Sequence, residues 1–150
     1  MAKLKIVIEP NELLRKRSKE VTDFSSRLHE LLDDMAETMR SGGVGIAAVQ
    51  VGVLWRACIV DANDGVCELV NPVIVSSGKQ KSGEEGCLSI PHVSGNVMRP
   101  QEVTVNFFDR NGEAQTKTFK GRDAVCACHE LDHLDGILFT DKIEKKGERK

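Results

Sequence analysis

The segment His129-Glu130-Leu131-Asp132-His133 constrains this chain more than any other. Histidines four residues apart lie about 40° round an α-helix and one turn up it, so both rings point one way and can share a metal ion. Glu130, the next residue round, flanks that face and can reach a water activated there without ligating the metal. This is the H-E-x-x-H arrangement, in which the glutamate acts as general base. The same residues on a solvated helix would be two histidines beside ordinary acids, so burial decides between the readings. A catalytic centre of this type needs three protein ligands and an open position. A third residue must therefore be folded onto the helix from elsewhere.

The candidates are few. Cys128 lies about 200° round the helix from Cys126 and faces away from the histidines. Cys126 faces the right way but sits about 7 to 8 Å along the axis from their midpoint. Both are expected to behave as small buried hydrophobes. Cys58 is embedded in the apolar run Ala57-Cys58-Ile59-Val60 and reads as core. Cys67, near a turn, has nothing in its favour. Cys87 sits in the polar stretch Glu84-Glu85-Gly86-Cys87-Leu88-Ser89-Ile90-Pro91, with Gly before the thiol and Pro after it. That context suits a ligand, and His92 is its rival. Spacing alone leaves the two open.

A third segment, Gly43-Val44-Gly45-Ile46-Ala47-Ala48-Val49-Gln50, has too few glycines for a phosphate loop and no following lysine. Its glycines permit unusual dihedrals or the close approach of another backbone, such as an extended substrate. A plain helix-terminating turn is the competing reading. Gln50 is polar within an apolar run and, if buried, needs a partner such as a bound carbonyl oxygen.

Around these segments, Phe24, Leu28, Leu31, Leu32, Met35 and Met39 recur at helical spacing, with Asp23 as N-cap and Gly42-Gly43 as the stop. Ala57–Val60, Glu68–Val70 and Val73–Val75 read as strands, with a turn at Asn63-Asp64-Gly65. Val103, Val105 and Phe107 alternate with polar residues, and Asp109-Arg110-Asn111-Gly112 turns the chain back into Ala114–Phe119. A helix is expected from about Asp123 to Leu134. The fold class is α+β: antiparallel strands packed around a central helix that carries the histidines. At 150 residues the chain is one domain, expected over 1–143, followed by a charged, solvated tail at 144–150.

Charge and composition exclude several partners. Lys and Arg number 21 against 23 Asp and Glu, so no net basic field invites nucleic acid or an anionic membrane. Five Phe, one Trp and no Tyr make a base-stacking surface improbable. No apolar run approaches the roughly 20 residues of a membrane helix, and the N-terminus has no signal-peptide pattern. Five cysteines, an odd number, argue for reduced thiols. A cytoplasmic protein is expected.

Taken together and in order, Gly43–Gln50, Glu85-Gly86-Cys87-Leu88-Ser89 and His129-Glu130-Leu131-Asp132-His133-Leu134-Asp135-Gly136 resemble the peptide deformylase family, over about Leu13 to Ile143. The resemblance implies that Cys87, His129 and His133 hold one divalent metal, ferrous iron in most members and Zn2+, Ni2+ or Co2+ in others. It implies attack of a metal-activated hydroxide on the formyl carbon of an N-formylmethionyl nascent peptide, with Glu130 moving the proton. Gln50 and the Leu88 amide would stabilise the oxyanion. The peptide would lie extended against Gly43-Val44-Gly45 and the segment after Ser89. Its methionine would enter a pocket that includes Val44 and Val125. Glu85 would pair with Arg99. A monomer is expected, near the ribosome only transiently, because the chain stops soon after Ile143 without the C-terminal docking helix of many relatives. Departures are Cys128, where Gln is usual, Ile46 for Leu, Val49 for Pro or Thr, and Arg122, where many relatives have an apolar pocket residue. A zinc endopeptidase and a non-catalytic, metal-stabilised peptide-binding module are the alternatives that a shared H-E-x-x-H leaves.

Overall fold

A computed structural model describes residues 2–40 and 42–144. Two helices, α1 (Ser26–Met39) and α2 (Arg122–Leu134), accompany seven strands: β1 (Gly45–Ala47), β2 (Ala57–Ala62), β3 (Gly65–Ser77), β4 (Gln80–Cys87), β5 (Ile90–Pro100), β6 (Glu102–Phe108) and β7 (Ala114–Lys120). The pairing is antiparallel throughout, in a five-stranded sheet ordered β1-β2-β3-β6-β7 and a separate β4-β5 hairpin. This is the α+β class expected. No helix among the described residues is long and apolar enough to cross a membrane.

Strand β2 shows how the layers are built. Its run is apolar at consecutive positions because both faces are covered: Ala57 and Ile59 join the core under α1, while Cys58 and Val60 join the core under α2. Strand β6 is covered mainly on one face, so Val103, Val105 and Phe107 face α2 and the residues between them are polar, while Phe108 at its end packs into the cluster under α1. Helix α2 is thus enclosed, with the large sheet on one side and the β4-β5 hairpin on the other. A third apolar cluster, Leu14, Ile90, Val97, Leu138 and Phe139, fills the space behind the hairpin.

Three local readings are corrected. Ser25, not Asp23, occupies the N-cap of α1; Asp23 instead accepts a hydrogen bond from the Ser25 hydroxyl at 3.0 Å. The two strand pieces on either side of Pro72 are one strand, and register shifts after Val70 accommodate the proline, which has no N–H for the ladder. The polar stretch Glu84–Pro91, to which the sequence assigns no element, forms the end of β4, the turn and the start of β5. Gly42 and Gly43 do stop α1, both amides donating to the Met39 carbonyl. Glu144, where the charged tail was expected to begin, is tied back by its amide to the Asn96 carbonyl at 2.8 Å, and the rest of that tail lies outside the described residues.

The end of α2 is fixed as firmly as its flanks. Arg56 donates to the Leu134 carbonyl at 2.9 Å and pairs with Asp135, a cation where the helix dipole favours one. Gly136 then turns the chain at φ +74°, and a Cβ there would lie 2.4 Å from the Arg15 carbonyl oxygen. Gly136→Ala should therefore lower the unfolding free energy by about 2–3 kcal/mol, the left-handed backbone penalty plus a clash with rigid backbone. Urea unfolding followed by circular dichroism measures it.

Candidate metal centre

Helix α2 presents His129 and His133 on one face, ring centroids 5.0 Å apart, and buries both. Cys87 arrives at the end of β4, where a register shift between Glu85 and Cys87 turns the thiol out of the hairpin ladder. Its sulfur lies 3.3 Å from His133 Nε2, and one ligand atom from each of the three residues falls within 4.8 Å of the others. Of the two candidates for third ligand, the fold brings in Cys87. His92 is exposed on β5 with φ +68° and stands outside the group.

These residues fit a metal ion. One thiolate and two imidazoles suit borderline divalent ions, and the second His129 nitrogen is already engaged. Its Nδ1 lies 2.9 Å from Glu85 Oε1, which fixes the ring and turns Nε2 towards the centre. The electrostatics show what the trio lacks by itself. Burial pulls His133 down to about 3, with the positive His129 and Arg99 adding to it. Burial works the same way on His129, but Cys87 and Glu85 outweigh it and hold that imidazole at about 10.

Arg99 fixes Glu85 in turn. Its guanidinium forks onto Glu85 at 2.7 and 3.1 Å and reaches Asp132 of α2 at 2.6 Å, with Arg99 only 3% exposed. Burial alone would raise the Glu85 carboxyl; hydrogen bonds from His129 and Arg99 overcome it and hold that carboxyl below the usual range.

The remaining predicted residues gather on the other side of the trio. Gln50 is buried in a 3₁₀ turn, its Oε1 accepting from the Ala47 amide at 2.9 Å. That bond assigns the amide's orientation: Nε2 faces the centre, donating to Ser89 Oγ at 3.1 Å and lying 3.5 Å from Cys87 Sγ. Glu130 is buried, its Oε1 has no hydrogen-bond partner, and burial pushes its carboxyl up to about 7. Leu88 follows Cys87 in the tight turn between β4 and β5. A cavity of about 570 Å³ opens over these groups, walled by Gly43, Val44 and Gly45 on one side, by Glu84–Leu88 on another, and by Val125, Cys126 and Arg122 of α2. The wall opposite β1 is therefore the segment before Ser89, not the one after it. In the two-stranded hairpin β4 has β5 as its one neighbour, so its other edge is free.

Gly45 has to be glycine. A Cβ there would meet Cys126 Sγ and Glu130 Oε2, both at 2.7 Å. Cys126 donates to the Val44 carbonyl at 3.2 Å and burial holds its thiol far above the usual range, so it braces the wall without joining the trio. Cys128 faces the opposite side of α2, beside Arg99 and Asp132. Two members of this assembly escaped the sequence reading, Asp132 and Ser89. An acid inside a buried helix does signal a cationic partner, but nothing in the sequence singles out Arg99 as that partner.

The sequence matches the polypeptide deformylase family model over residues 3–149. It is 54% identical over 134 residues to the peptide deformylase of Acetivibrio thermocellus, covering 89% of this chain and 79% of that one. It is 50% identical over 144 residues to that of Caldicellulosiruptor bescii, covering 95% and 87%. The crystal structure of peptide deformylase from Thermotoga maritima superposes with a TM-score of 0.93 at 34% identity, over 97% of this chain and all of that one.

Glu85→Ala should weaken metal binding by about 10- to 100-fold, the usual cost of losing the partner that orients a ligating histidine. Competition titration against a chromogenic chelator measures it, and Glu84→Ala, on the exposed face of the same strand, serves as the control.

Proposed function

Because the chain belongs to the polypeptide deformylase family, we propose a role for each residue of its site in that family's reaction. The protein is a metallohydrolase that removes the formyl group from the N-terminal formylmethionine of newly made polypeptides. The other product is formate.

Cys87, His129 and His133 hold the metal. When bound, it supplies Lewis-acid activation of water and of the formyl carbonyl. Glu130 is the base: its carboxylate takes the proton of the attacking water and returns it to the departing amine. The single observation that carries this assignment is the Glu130 carboxyl itself, buried beside the trio with an unpartnered oxygen and raised to about 7. A base tuned near neutrality serves both halves of such a proton transfer. Gln50 Nε2, its orientation set by Ala47 and Ser89, is the side-chain donor for the charge that develops on the formyl oxygen, and the Leu88 amide is the backbone donor.

The substrate backbone runs extended against Gly43-Val44-Gly45, where β1 offers an unpaired sheet edge, with β4 facing it across the cavity. The methionine side chain lies against Val44 and Val125. We assign ferrous iron as the native ion, with Zn2+, Ni2+ or Co2+ able to take its place on the same ligands. We further place the enzyme in the cytoplasm as a monomer that meets nascent chains near the ribosome only transiently.

Glu130→Ala should lower kcat for formyl-Met-Ala-Ser by at least about 10²- to 10⁴-fold, the usual worth of a positioned base. Metal content per chain should stay at the wild-type value. Formate release and elemental analysis of one sample test both; loss of the metal with the activity would make Glu130 structural. Iron-loaded protein kept in air without reductant should lose activity as metal or Cys87 oxidises, and full activity after such storage would overturn the iron assignment.

A further inference from the structure

The charged groups around the cavity are nearly all committed. Glu85 is held by Arg99 and His129, Glu130 is buried, and Glu84 accepts from the Ser94 hydroxyl. Arg122 differs. It opens helix α2 at the cavity's mouth, is exposed, and has no ion-pair partner among the described residues.

Its position relative to a bound peptide follows from how β1 lies on α2. Gly45 abuts Glu130 and Cys126, and the Val44 carbonyl accepts from Cys126. Towards the start of β1 its neighbours on α2 therefore shift towards the start of the helix. Arg122, in the first turn of that helix, lines the same cavity as Gly43 and Gly42. Arg122 precedes Glu130 by eight residues, about 12 Å of helix rise. A peptide stretched along β1, with its formyl end at Glu130 and Gln50, covers that distance in about three to four residues at roughly 3.4 Å each. Side chains of a strand alternate, so its third residue faces the same wall as the methionine. That wall is Val125, Cys126 and Arg122.

We propose that Arg122 makes the third residue of the formylated peptide, counting formylmethionine as the first, a point of selection, favouring a carboxylate side chain there over an ammonium. The inference rests on the peptide path and proton-transfer site proposed above and adds a preference within them. A long arginine side chain there can lay its methylenes along the apolar wall and keep its guanidinium in water, where a carboxylate is attracted and an ammonium repelled.

The test uses metal-loaded enzyme and the C-terminally amidated peptides formyl-Met-Ala-Xaa-Ala with Xaa Asp, Ser or Lys. Amidation matters because a free C-terminus on a short peptide would itself be a carboxylate beside Arg122. At low salt the wild-type kcat/KM should favour Asp over Lys by about 5-fold, as expected for an attraction replaced by a repulsion at an exposed site, and high salt should shrink the ratio. In Arg122→Ala the ratio should fall to near one, and in Arg122→Glu it should invert. The Ser peptide is the internal reference, so a general loss of activity cancels. An equal ratio in wild type and Arg122→Ala overturns the inference. So does an undiminished Asp preference when Asp is moved to the second residue, because a diffuse field would then be responsible. Absence of formate from every peptide, Ser included, would overturn the assignment of the site itself.

Discussion

A buried arginine holds the two halves of this protein in register. Arg99 stands on β5, grips Glu85 on the neighbouring strand with two hydrogen bonds, and grips Asp132 on α2 with a third. The residues that could hold a metal come from those two elements, Cys87 from the hairpin and the histidines from the helix, so the alignment of hairpin with helix is also the alignment of the candidate metal centre. A buried cation without anions would be untenable, and a buried pair with one member missing costs several kcal/mol. With Lys142 also on Asp132, at 3.1 Å, each charge in the cluster has an opposite neighbour. The arrangement specifies geometry: a hairpin shifted by one residue would leave Glu85 facing away from both Arg99 and His129.

The chemistry then depends on close approach. Strand β1 comes near enough to α2 that only glycine fits at Gly45, and the Val44 carbonyl is fastened to the Cys126 thiol. That closeness sets an unpaired strand edge beside the buried Glu130 carboxylate. Gln50, in the turn that follows β1, is aimed by the Ala47 amide on one side and Ser89 on the other. One short segment, Gly43–Gln50, thus supplies both roles proposed for it, the rail for a peptide backbone and the donor for its carbonyl.

Much of this was legible in the sequence, and the illegible parts have physical reasons. Helix α1 announced itself through a periodic apolar face and α2 through a stretch free of Gly and Pro after Gly121, while β2 and β6 did so through a continuous apolar run and a strict alternation. The β4-β5 hairpin gave no such signal. Gln80-Lys81-Ser82-Gly83-Glu84-Glu85-Gly86 is polar throughout, because that strand is largely solvated and held by its backbone ladder and by Arg99 rather than by a buried face. The histidine pair and Glu130 could be read from spacing on one helix. Cys87 could not be separated from His92 by spacing, because its place depends on a register shift with no signature of its own. Asp132 appeared as filler between histidines, and its partner lies 33 residues away in the chain.

Cys87 and His133 are 46 residues apart, and β5, β6 and β7 lie between them. An ion coordinated by both closes that stretch into a ring, and ring closure removes conformations mainly from the unfolded chain. The ion is then a clasp as well as a reagent. Bound to the folded chain in preference to the unfolded one, such an ion would tie the protein's stability to metal supply, through the same equilibrium that fills the site.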